Sequence, residues 1–331
     1  MPIITAPVTT PPDSGGGGDG GTPVPLPEIG YATATYTDPS GTVWPLTDTD
    51  ANWWTLPKGV SGLGAVQYEL ATDQHPRGGA RLRHAQPQPR TIVWPLFVQG
   101  KDHTEFLANW RGLARAFTRT LREDEGPGTL EIARPDGTRR RVRVYYEDGF
   151  EGQDDQGWGR DADSAVLSLW CEDPYWEDAE PVAVHRETGA SGSFLTPYPT
   201  ISSSQVLGDT IVTNPGDTVV WPTWTITGPA SLVTFTRTWR DRTGQLQSEA
   251  FTLNPSAVGH GNLLAGEKVT VRTDPGQVRF QDNSNWSGAL NWPAATLWGL
   301  APGDNQVNFT LAGSAAGSAV DLTFYPRYET A

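Results

Sequence analysis

The sequence predicts a mainly β protein, with strands around one α-helix in the first half and an antiparallel β-sandwich in the second. Three observations favour this fold class. The chain of 331 residues contains 37 glycines and 28 prolines, a density that separates short strands and does not suit a helical bundle. Segments rich in β-branched and aromatic residues recur between turn-forming residues. Only one segment has the apolar spacing of three and four residues that is typical of an amphipathic helix.

Residues 1–29 form a segment of low complexity, with a glycine-rich run at residues 15–21 and prolines on both sides. Because the segment buries little apolar surface, it does not repay the entropy of ordering it, which favours a flexible tail. The alternative is an extended, polyproline-like arm that lies against neighbouring subunits or an adjoining protein. The candidate contacts of such an arm are its sizeable apolar side chains, Ile3, Ile4, Val8, Val24, Leu26 and Ile29.

Residues 30–185 are predicted to form the first folded domain, in which strands surround the single helix. The predicted strands cover residues 43–46, 65–70, 92–98, 130–132, 141–146 and 165–170. Turn-forming residues at 38–41 and 135–137 predict two β-hairpins, since Asp, Pro and Gly favour the backbone angles of tight turns.

The helix of this domain is predicted from about His103 to Arg122. Asp102, followed three residues later by Glu105, resembles a capping box and marks the start of the helix. Seven apolar residues recur at helical spacing and form one face. They are Phe106, Leu107, Trp110, Leu113, Ala114, Phe117 and Leu121. We expect this face to pack on the sheet of its own domain.

Residues 186–331 are predicted to form a second domain without a helix. Turns at residues 214–217, 274–276 and 302–304 separate short strands. These strands cover residues 218–227, 231–239, 250–253, 268–272, 278–281, 306–311 and 319–325. Many short strands at this spacing are typical of an antiparallel β-sandwich.

Composition excludes several classes of function. The formal net charge is −14, whereas a protein that grips duplex DNA normally has a basic footprint, so no specific nucleic-acid binding is expected. Cys171 is the only cysteine, which excludes an intrachain disulfide and a multi-cysteine zinc site. We find neither a secretory signal nor an apolar run near the roughly 18 residues that span a bilayer. We therefore expect a soluble protein made in a reducing compartment, with no membrane partner.

No motif carries recognisable catalytic or metal-binding chemistry. The five histidines have no metal-ligand spacing such as H-x-x-x-H. The glycines of residues 59–64 lack a P-loop lysine, and no G-x-S-x-G elbow occurs. The acidic loop with Asp154, Asp155, Asp161 and Asp163 lacks the D-x-D-x-D-G calcium pattern. The sequence therefore predicts no catalytic residue, no cofactor, no metal site and no enzyme.

Tryptophan is unusually frequent, with 14 residues in the chain. Aromatic faces on a β-sandwich would stack on sugar rings, and the candidates for this role are Trp286, Trp292 and Trp298. The alternative is that the tryptophans fill the sandwich core and subunit contacts, where large aromatic side chains dominate burial.

Several motifs follow one another in a characteristic order. The hairpin at residues 38–41 precedes Trp44-Pro45-Leu46, the amphipathic helix comes next, and the first domain ends on Asp173-Pro174-Tyr175-Trp176. Residues 300–305 read L-A-P-G-D-N. Over roughly residues 30–331 this order resembles the distal tail proteins of long-tailed phages (siphoviruses), whose L-x-x-G-D-N signature is similar to residues 300–305.

The resemblance implies a structural role. Members of the family form a six-membered ring at the tail tip, with the N-terminal domain in the ring and a galectin-like sandwich facing outward. The ring joins the tail tube protein to the tail hub, or tail-associated, protein and carries receptor-binding proteins, with the tape measure protein as a further candidate partner. DNA passes through its lumen. The resemblance thus implies a homohexameric virion protein of the baseplate, made in the host cytoplasm, whose ring is built by residues 30–185.

Two other functions stay open at this point. A carbohydrate-binding adhesin module would recognise host cell-surface glycans and would be monomeric or trimeric. A secreted glycan hydrolase would depend on a pair of carboxylates. The absence of a secretory signal counts against ordinary secretion. A ring would elute near six times the monomer mass or fall apart without its neighbours.

Overall fold

The computed structural model describes residues 32–48, 50–56, 58–151, 160–188 and 208–331. Over these ranges the chain forms 20 β-strands and one α-helix, so the mainly β fold class is confirmed. The predicted arm and its six candidate contact residues lie outside the described residues. Two separate hydrophobic cores exist, one around the helix and one between the sheets of the sandwich. The predicted boundaries at residues 29 and 185 stay predictions.

The first unit comprises residues 32–178 together with residues 327–331. Its strands are β1 (Thr33–Thr37), β2 (Val43–Pro45), β3 (Trp53–Thr55), β4 (Tyr68–Gln74), β5 (Ala80–Pro87), β6 (Arg90–Gln99), β7 (Gly128–Ala133), β8 (Arg139–Asp148), β9 (Ala162–Cys171), β10 (Trp176–Asp178) and β20 (Arg327–Tyr328). The main sheet runs β2-β1-β7-β8-β9-β6-β3, and β10 joins it beside β8. Strands β4 and β5 pair only with each other.

Both predicted hairpin turns of this unit are confirmed. In the turn between β1 and β2, the carboxylate of Asp38 accepts hydrogen bonds from the backbone N–H groups of Ser40 and Thr42. In the turn between β7 and β8, the Asp136 carboxylate accepts from the Thr138 N–H at 2.9 Å. An aspartate that binds the backbone two residues ahead is the physical reason that this residue type favours turns.

Helix α1 (His103–Thr118) packs its apolar face on β6 and β8. The face buries Phe106, Trp110, Leu113 and Phe117, as the spacing predicts. Ala116 is buried in addition, whereas the predicted Leu107 and Ala114 are only half-buried. The helix is also tied to β1, because Tyr36 stacks on Phe117 with ring centroids 4.1 Å apart.

The predicted end of the helix is wrong in one respect, because Leu121 is exposed and does not belong to the buried face. After Thr118 the chain tightens into a 3-10 turn over Arg119–Leu121, which rotates the following side chains relative to the α-helical face. Thr120 occupies the buried position instead. Its hydroxyl donates to the Phe117 carbonyl oxygen and accepts from the Tyr146 N–H.

The N-terminal cap of α1 allows a direct test of the predicted capping box. The Asp102 carboxylate accepts from the Glu105 N–H at 2.9 Å, and the Glu105 carboxylate accepts from the Lys101 N–H. We expect Asp102→Ala to lower the free energy of unfolding by about 1 kcal/mol, since that is the usual value of an N-cap side chain. Denaturant unfolding would measure it. Asp102→Asn keeps the acceptor, so its free energy of unfolding should be close to that of the parent. An equal loss of stability in both variants would contradict the role of Asp102 as the cap.

The second unit, residues 182–324, is a sandwich of a five-stranded and a four-stranded antiparallel sheet. Its strands are β11 (Val182–Glu187), β12 (Asp209–Asn214), β13 (Thr223–Thr227), β14 (Leu232–Arg240), β15 (Leu246–Leu253), β16 (Lys268–Thr273), β17 (Gly276–Phe280), β18 (Gly303–Ala312) and β19 (Ala319–Phe324). The sheet orders are β11-β19-β13-β16-β17 and β12-β18-β14-β15. Within the described part of this unit the only helical segments are two short 3-10 turns.

The core of the sandwich is an aromatic cluster centred on Trp224. Its ring lies 4.5 Å from that of Phe235 and 5.2 Å from that of Trp298, measured between centroids. The rings of Phe251 and Phe309 complete the cluster at 6.1 and 5.6 Å. Strand β13 delivers Trp224 inward because alternate residues of a strand point to opposite faces, and its burial pattern alternates accordingly.

The chain ends its path through the sandwich by returning to the first unit. Strand β20 pairs with β10, with Trp176 opposite Tyr328. Beyond it, Ala331 is buried in the core of the first unit. The Ala331 N–H donates to the Leu63 carbonyl oxygen at 3.0 Å, and its carbonyl oxygen accepts from Arg134 Nε at 2.9 Å. The first core therefore contains residues from both ends of the described chain.

Candidate assembly site

A hairpin without cover distinguishes the surface of the first unit. All but two of the residues of β4 and β5 are exposed, so neither face of the hairpin is buried against the body of the protein. The side chains of Leu70 and Leu82 are 58% and 54% exposed. A two-stranded hairpin is only marginally stable alone in water. Large apolar side chains thus stand exposed on both of its strands.

The base of this hairpin is fixed to the body by hydrogen bonds. The Tyr68 hydroxyl lies 3.1 Å from the Tyr175 hydroxyl and donates to Glu329 Oε1 at 2.9 Å. The Val66 N–H donates to Glu329 Oε2 at 3.0 Å. The hydrogen bond with Tyr175 and, after it, burial raise the pKa of the Tyr68 phenol above its ordinary value. The hairpin thus projects from an anchored base.

A buried arginine holds together the segments that form that base. The Arg90 guanidinium donates to four backbone carbonyl oxygens, those of Pro174, Gly62, Gly64 and Glu329, at 2.8, 2.6, 2.5 and 2.8 Å. Burial lowers the pKa of Arg90, but an arginine stays charged because its pKa starts above 12. Four neutral acceptors therefore solvate one buried cation, which joins strand β6 to residues 327–331.

Glycine is required beside this arginine. Gly62 has a φ of +85°, and a Cβ at this position would lie 2.3 Å from the Thr91 carbonyl oxygen. A side chain would therefore clash with the strand next to it, besides the backbone strain that a non-glycine residue meets at this φ. The glycine lets the loop come close enough for its carbonyl oxygen to accept from Arg90.

On the sheet face opposite to the core of the first unit, Val166 and Trp170 are exposed, whereas Trp54, Phe97 and Tyr145 are half-buried. Trp54 pairs with Phe97 at a centroid distance of 4.8 Å, and Tyr145 pairs with Trp170 at 5.9 Å. Val166 lies between these pairs along β9 and is exposed. The unit therefore carries two different apolar surfaces, the hairpin and this sheet face, and a head-to-tail ring needs two different surfaces on each subunit.

The three tryptophans predicted to stack on glycans lie at different depths. Trp298 is buried in the aromatic core, and Trp286 is buried with its ring stacked on Phe280 at 4.5 Å. Only Trp292 presents its ring to solvent, with 56% of the residue exposed. Glycan stacking stays a prediction, and burial restricts it to Trp292 among the three.

The described residues contain no group of three or more His, Cys, Asp or Glu side chains that would hold a metal ion. Cys171 is buried, and burial raises the pKa of its thiol to about 12. In the same ranges, no helix has both the length and the apolar character needed to cross a bilayer.

Sequence reasoning missed the residues that build the assembly site. The hairpin has a weak signal, because apolar Leu70 and Leu82 stand among polar and charged residues on two consecutive strands. Arg90 has no local signal, since its four acceptors come from segments as far away as residue 329.

The fold combines a β-rich unit around one helix, an outlying hairpin, a β-sandwich and a last strand that returns to the first sheet, and solved phage proteins share it. The chain superposes on the SPP1 Dit (gp 19.1) protein, described as a paradigm of the hub adsorption apparatus of phages that infect Gram-positive hosts. The TM-score is 0.60 at 15% identity, over 90% of this chain and 99% of that one. The resemblance to distal tail proteins is confirmed at the level of the fold.

Two structures of the phage P2 baseplate in its activated conformation contain similar chains. The chain from the structure with Ca gives a TM-score of 0.53 at 11% identity, and the chain from the structure with Sr gives 0.54 at 12%. Each comparison covers 91% of this chain and all of the other. No protein-family model and no curated protein sequence matches this chain.

Proposed function

We propose that this chain is a structural, non-enzymatic protein of the phage tail tip that assembles into a homohexameric ring. The ring would join the tail tube to the tail hub and to receptor-binding proteins, and DNA would pass through its lumen without specific contacts. The fold supports a tail or baseplate role, since it matches hub and baseplate chains over nine-tenths of its length. In this proposal the protein is located at the tail tip of the virion.

The single observation that supports self-assembly is the β4–β5 hairpin, whose residues are almost all exposed. Its leucines are exposed, and within the described ranges the hairpin pairs with no other strand. The second apolar surface, around Trp170 and Val166, lies on the main sheet of the same unit. If the hairpin of each subunit contacts the sheet face of the next subunit, the same contact repeats around a closed ring.

The oligomeric state of the purified full chain tests this proposal. A hexamer has six times the monomer mass of 35.8 kDa. We expect Leu70→Asp with Leu82→Asp to convert the ring to monomers, because a charge buried in an apolar contact costs at least about 2 kcal/mol at each position. Light scattering after size exclusion would measure the mass. Circular dichroism should show an unchanged fold, since both side chains are exposed.

Leu246→Asp is the matched control, because Leu246 is an equally exposed leucine of the sandwich. We expect it to leave the hexamer intact. Tail-tip images with symmetry other than six-fold, or three-fold in a variant hub, would contradict the ring. A parent chain that is monomeric or trimeric and is retained on host cell wall would favour the adhesin alternative. A hexamer that survives the double substitution would contradict the role of the hairpin.

A further inference from the structure

A cleft of about 620 Å³ lies where the two units meet. Strands β7 and β8 of the first unit form one wall, and strands β13, β16 and β19 of the sandwich form the other. Four arginines and three carboxylates line it, so the cleft has a local excess of positive charge. The chain as a whole has a net charge of −14. The volume lies within the range of about 300–1,000 Å³ that small-ligand sites occupy.

Each wall presents an arginine beside threonine hydroxyls. On the first unit, Arg143 of β8 stands directly opposite Thr129 of β7. On the sandwich, Thr223 lies between Arg272 and Thr323 in one row across three strands. Directly opposed residues of antiparallel strands project their side chains from the same face. Both rows line the cleft, so each of its two walls offers guanidinium and hydroxyl donors.

Two of the four arginines already have partners, and two do not. Arg327 forms a bidentate ion pair with Asp173. Arg141 lies 3.8 Å from the Glu177 carboxylate and 4.4 Å from the centre of the Tyr325 ring. Across the described ranges, Arg143 and Arg272 make no side-chain hydrogen bond and no ion pair, and both are exposed. The two free guanidinium groups thus both line the cleft, one from each unit.

Apart from the two-residue strand β20, whose one strand partner in the described ranges is β10, the walls offer side chains but no unpaired strand edge. Strands β7, β13, β16 and β19 are each paired on both sides, and β8 lies between β7 and the β9–β10 segment. A peptide that binds as an added strand needs unpaired N–H and C=O groups on a sheet edge. The cleft therefore suits a compact ligand that side chains recognise.

We propose that this cleft binds an acidic saccharide. The free Arg143 and Arg272 would hold its carboxylate or phosphate groups, because guanidinium donors match the geometry of these anions. The lining carboxylates and threonines suit sugar hydroxyls, which both donate and accept hydrogen bonds. At the rim, Trp221 is 41% exposed and provides an aromatic surface for a sugar ring. This inference goes beyond the ring and does not depend on it.

Titration calorimetry on the full chain tests the proposal. The probe is a tetrasaccharide of alternating glucuronate and N-acetylglucosamine, and the neutral N-acetylglucosamine tetramer is its uncharged counterpart. We expect only the acidic probe to bind, and more weakly as salt rises. Arg272→Gln and Arg143→Gln should each raise its dissociation constant about tenfold, the loss expected for a hydrogen bond to a charged group. Trp221→Ala should also weaken binding.

The control is Arg242→Gln, which changes an exposed arginine of the sandwich outside the lining of the cleft. We expect this variant to keep the parental affinity. Three results would overturn the proposal: no binding of the acidic tetrasaccharide, equal binding of the neutral one, or an affinity unchanged by Arg272→Gln. Hexaglutamate or inorganic phosphate binding as tightly as the tetrasaccharide would also overturn it, because the cleft would then recognise charge alone.

Discussion

Replacing Trp224 by alanine is expected to lower the free energy of unfolding of the sandwich by about 3–5 kcal/mol, the range typical of large aromatic residues in cores. Trp224 of the five-stranded sheet is fully buried, and its ring contacts the rings of Phe235 and Phe309 on the four-stranded sheet. Its removal leaves a cavity between the sheets that rigid neighbouring rings cannot fill. Chemical denaturation followed by circular dichroism would measure the loss.

The matched control for this experiment is Trp292→Ala, which removes the same side chain from an exposed position of the same unit. We expect its free energy of unfolding to lie within about 0.5 kcal/mol of that of the parent, as is usual for surface substitutions. If both variants lost the same stability, the aromatic cluster would not be what holds the two sheets together. The comparison separates the effect of burial from the effect of residue type.

The second large effect is expected from Arg90→Met, which keeps most of the length of the side chain and removes its charge and donors. Four carbonyl oxygens would lose their partner in a buried place. Unsatisfied buried polar groups cost about 1–3 kcal/mol each when no water replaces the donor. Because residues 327–331 can detach and hydrate, we expect a net loss of about 3–5 kcal/mol.

Two readouts distinguish this detachment from general unfolding. Amide hydrogen exchange should rise first in β20 and at Ala331, while the sandwich core stays protected. Arg90→Lys should recover only part of the stability, since one ammonium group cannot reach four acceptors in a planar fork. Arg111→Met, on the exposed side of α1, serves as the control. Unchanged exchange of residues 327–331 in Arg90→Met would show that this arginine does not hold them.

Local signals in the sequence predicted most of the regular structure. The apolar spacing located α1, and aspartate-containing turns located two hairpins, because these features depend on residues close in the chain. Strand β5 escaped prediction because nearly all of its residues are exposed, so no alternation of buried apolar and exposed polar residues marks it. The strand predicted over residues 218–227 begins only at Thr223, where Pro222 no longer interrupts the pairing.

The assembly site and the cleft could not be predicted in the same way. Arg90 is bonded to residues 28, 84 and 239 positions away in the chain, and no periodicity encodes such distances. Arg143 and Arg272 are brought to one cleft only by the packing of one unit against the other. The sequence predicted the class of protein from motif order, whereas the sites depend on contacts between remote segments.

The return of β20 to the first sheet has a consequence for how the protein folds during translation. Because residues 327–331 complete the first core, the ribosome must finish the whole sandwich before that core can close. A chain that emerges N-terminal end first would carry the first unit in an incomplete state, with its apolar strands open to non-native pairing. The sandwich, in contrast, is synthesised without interruption and can fold as one piece. Co-translational folding should therefore run in the reverse of sequence order, with the later unit closing first.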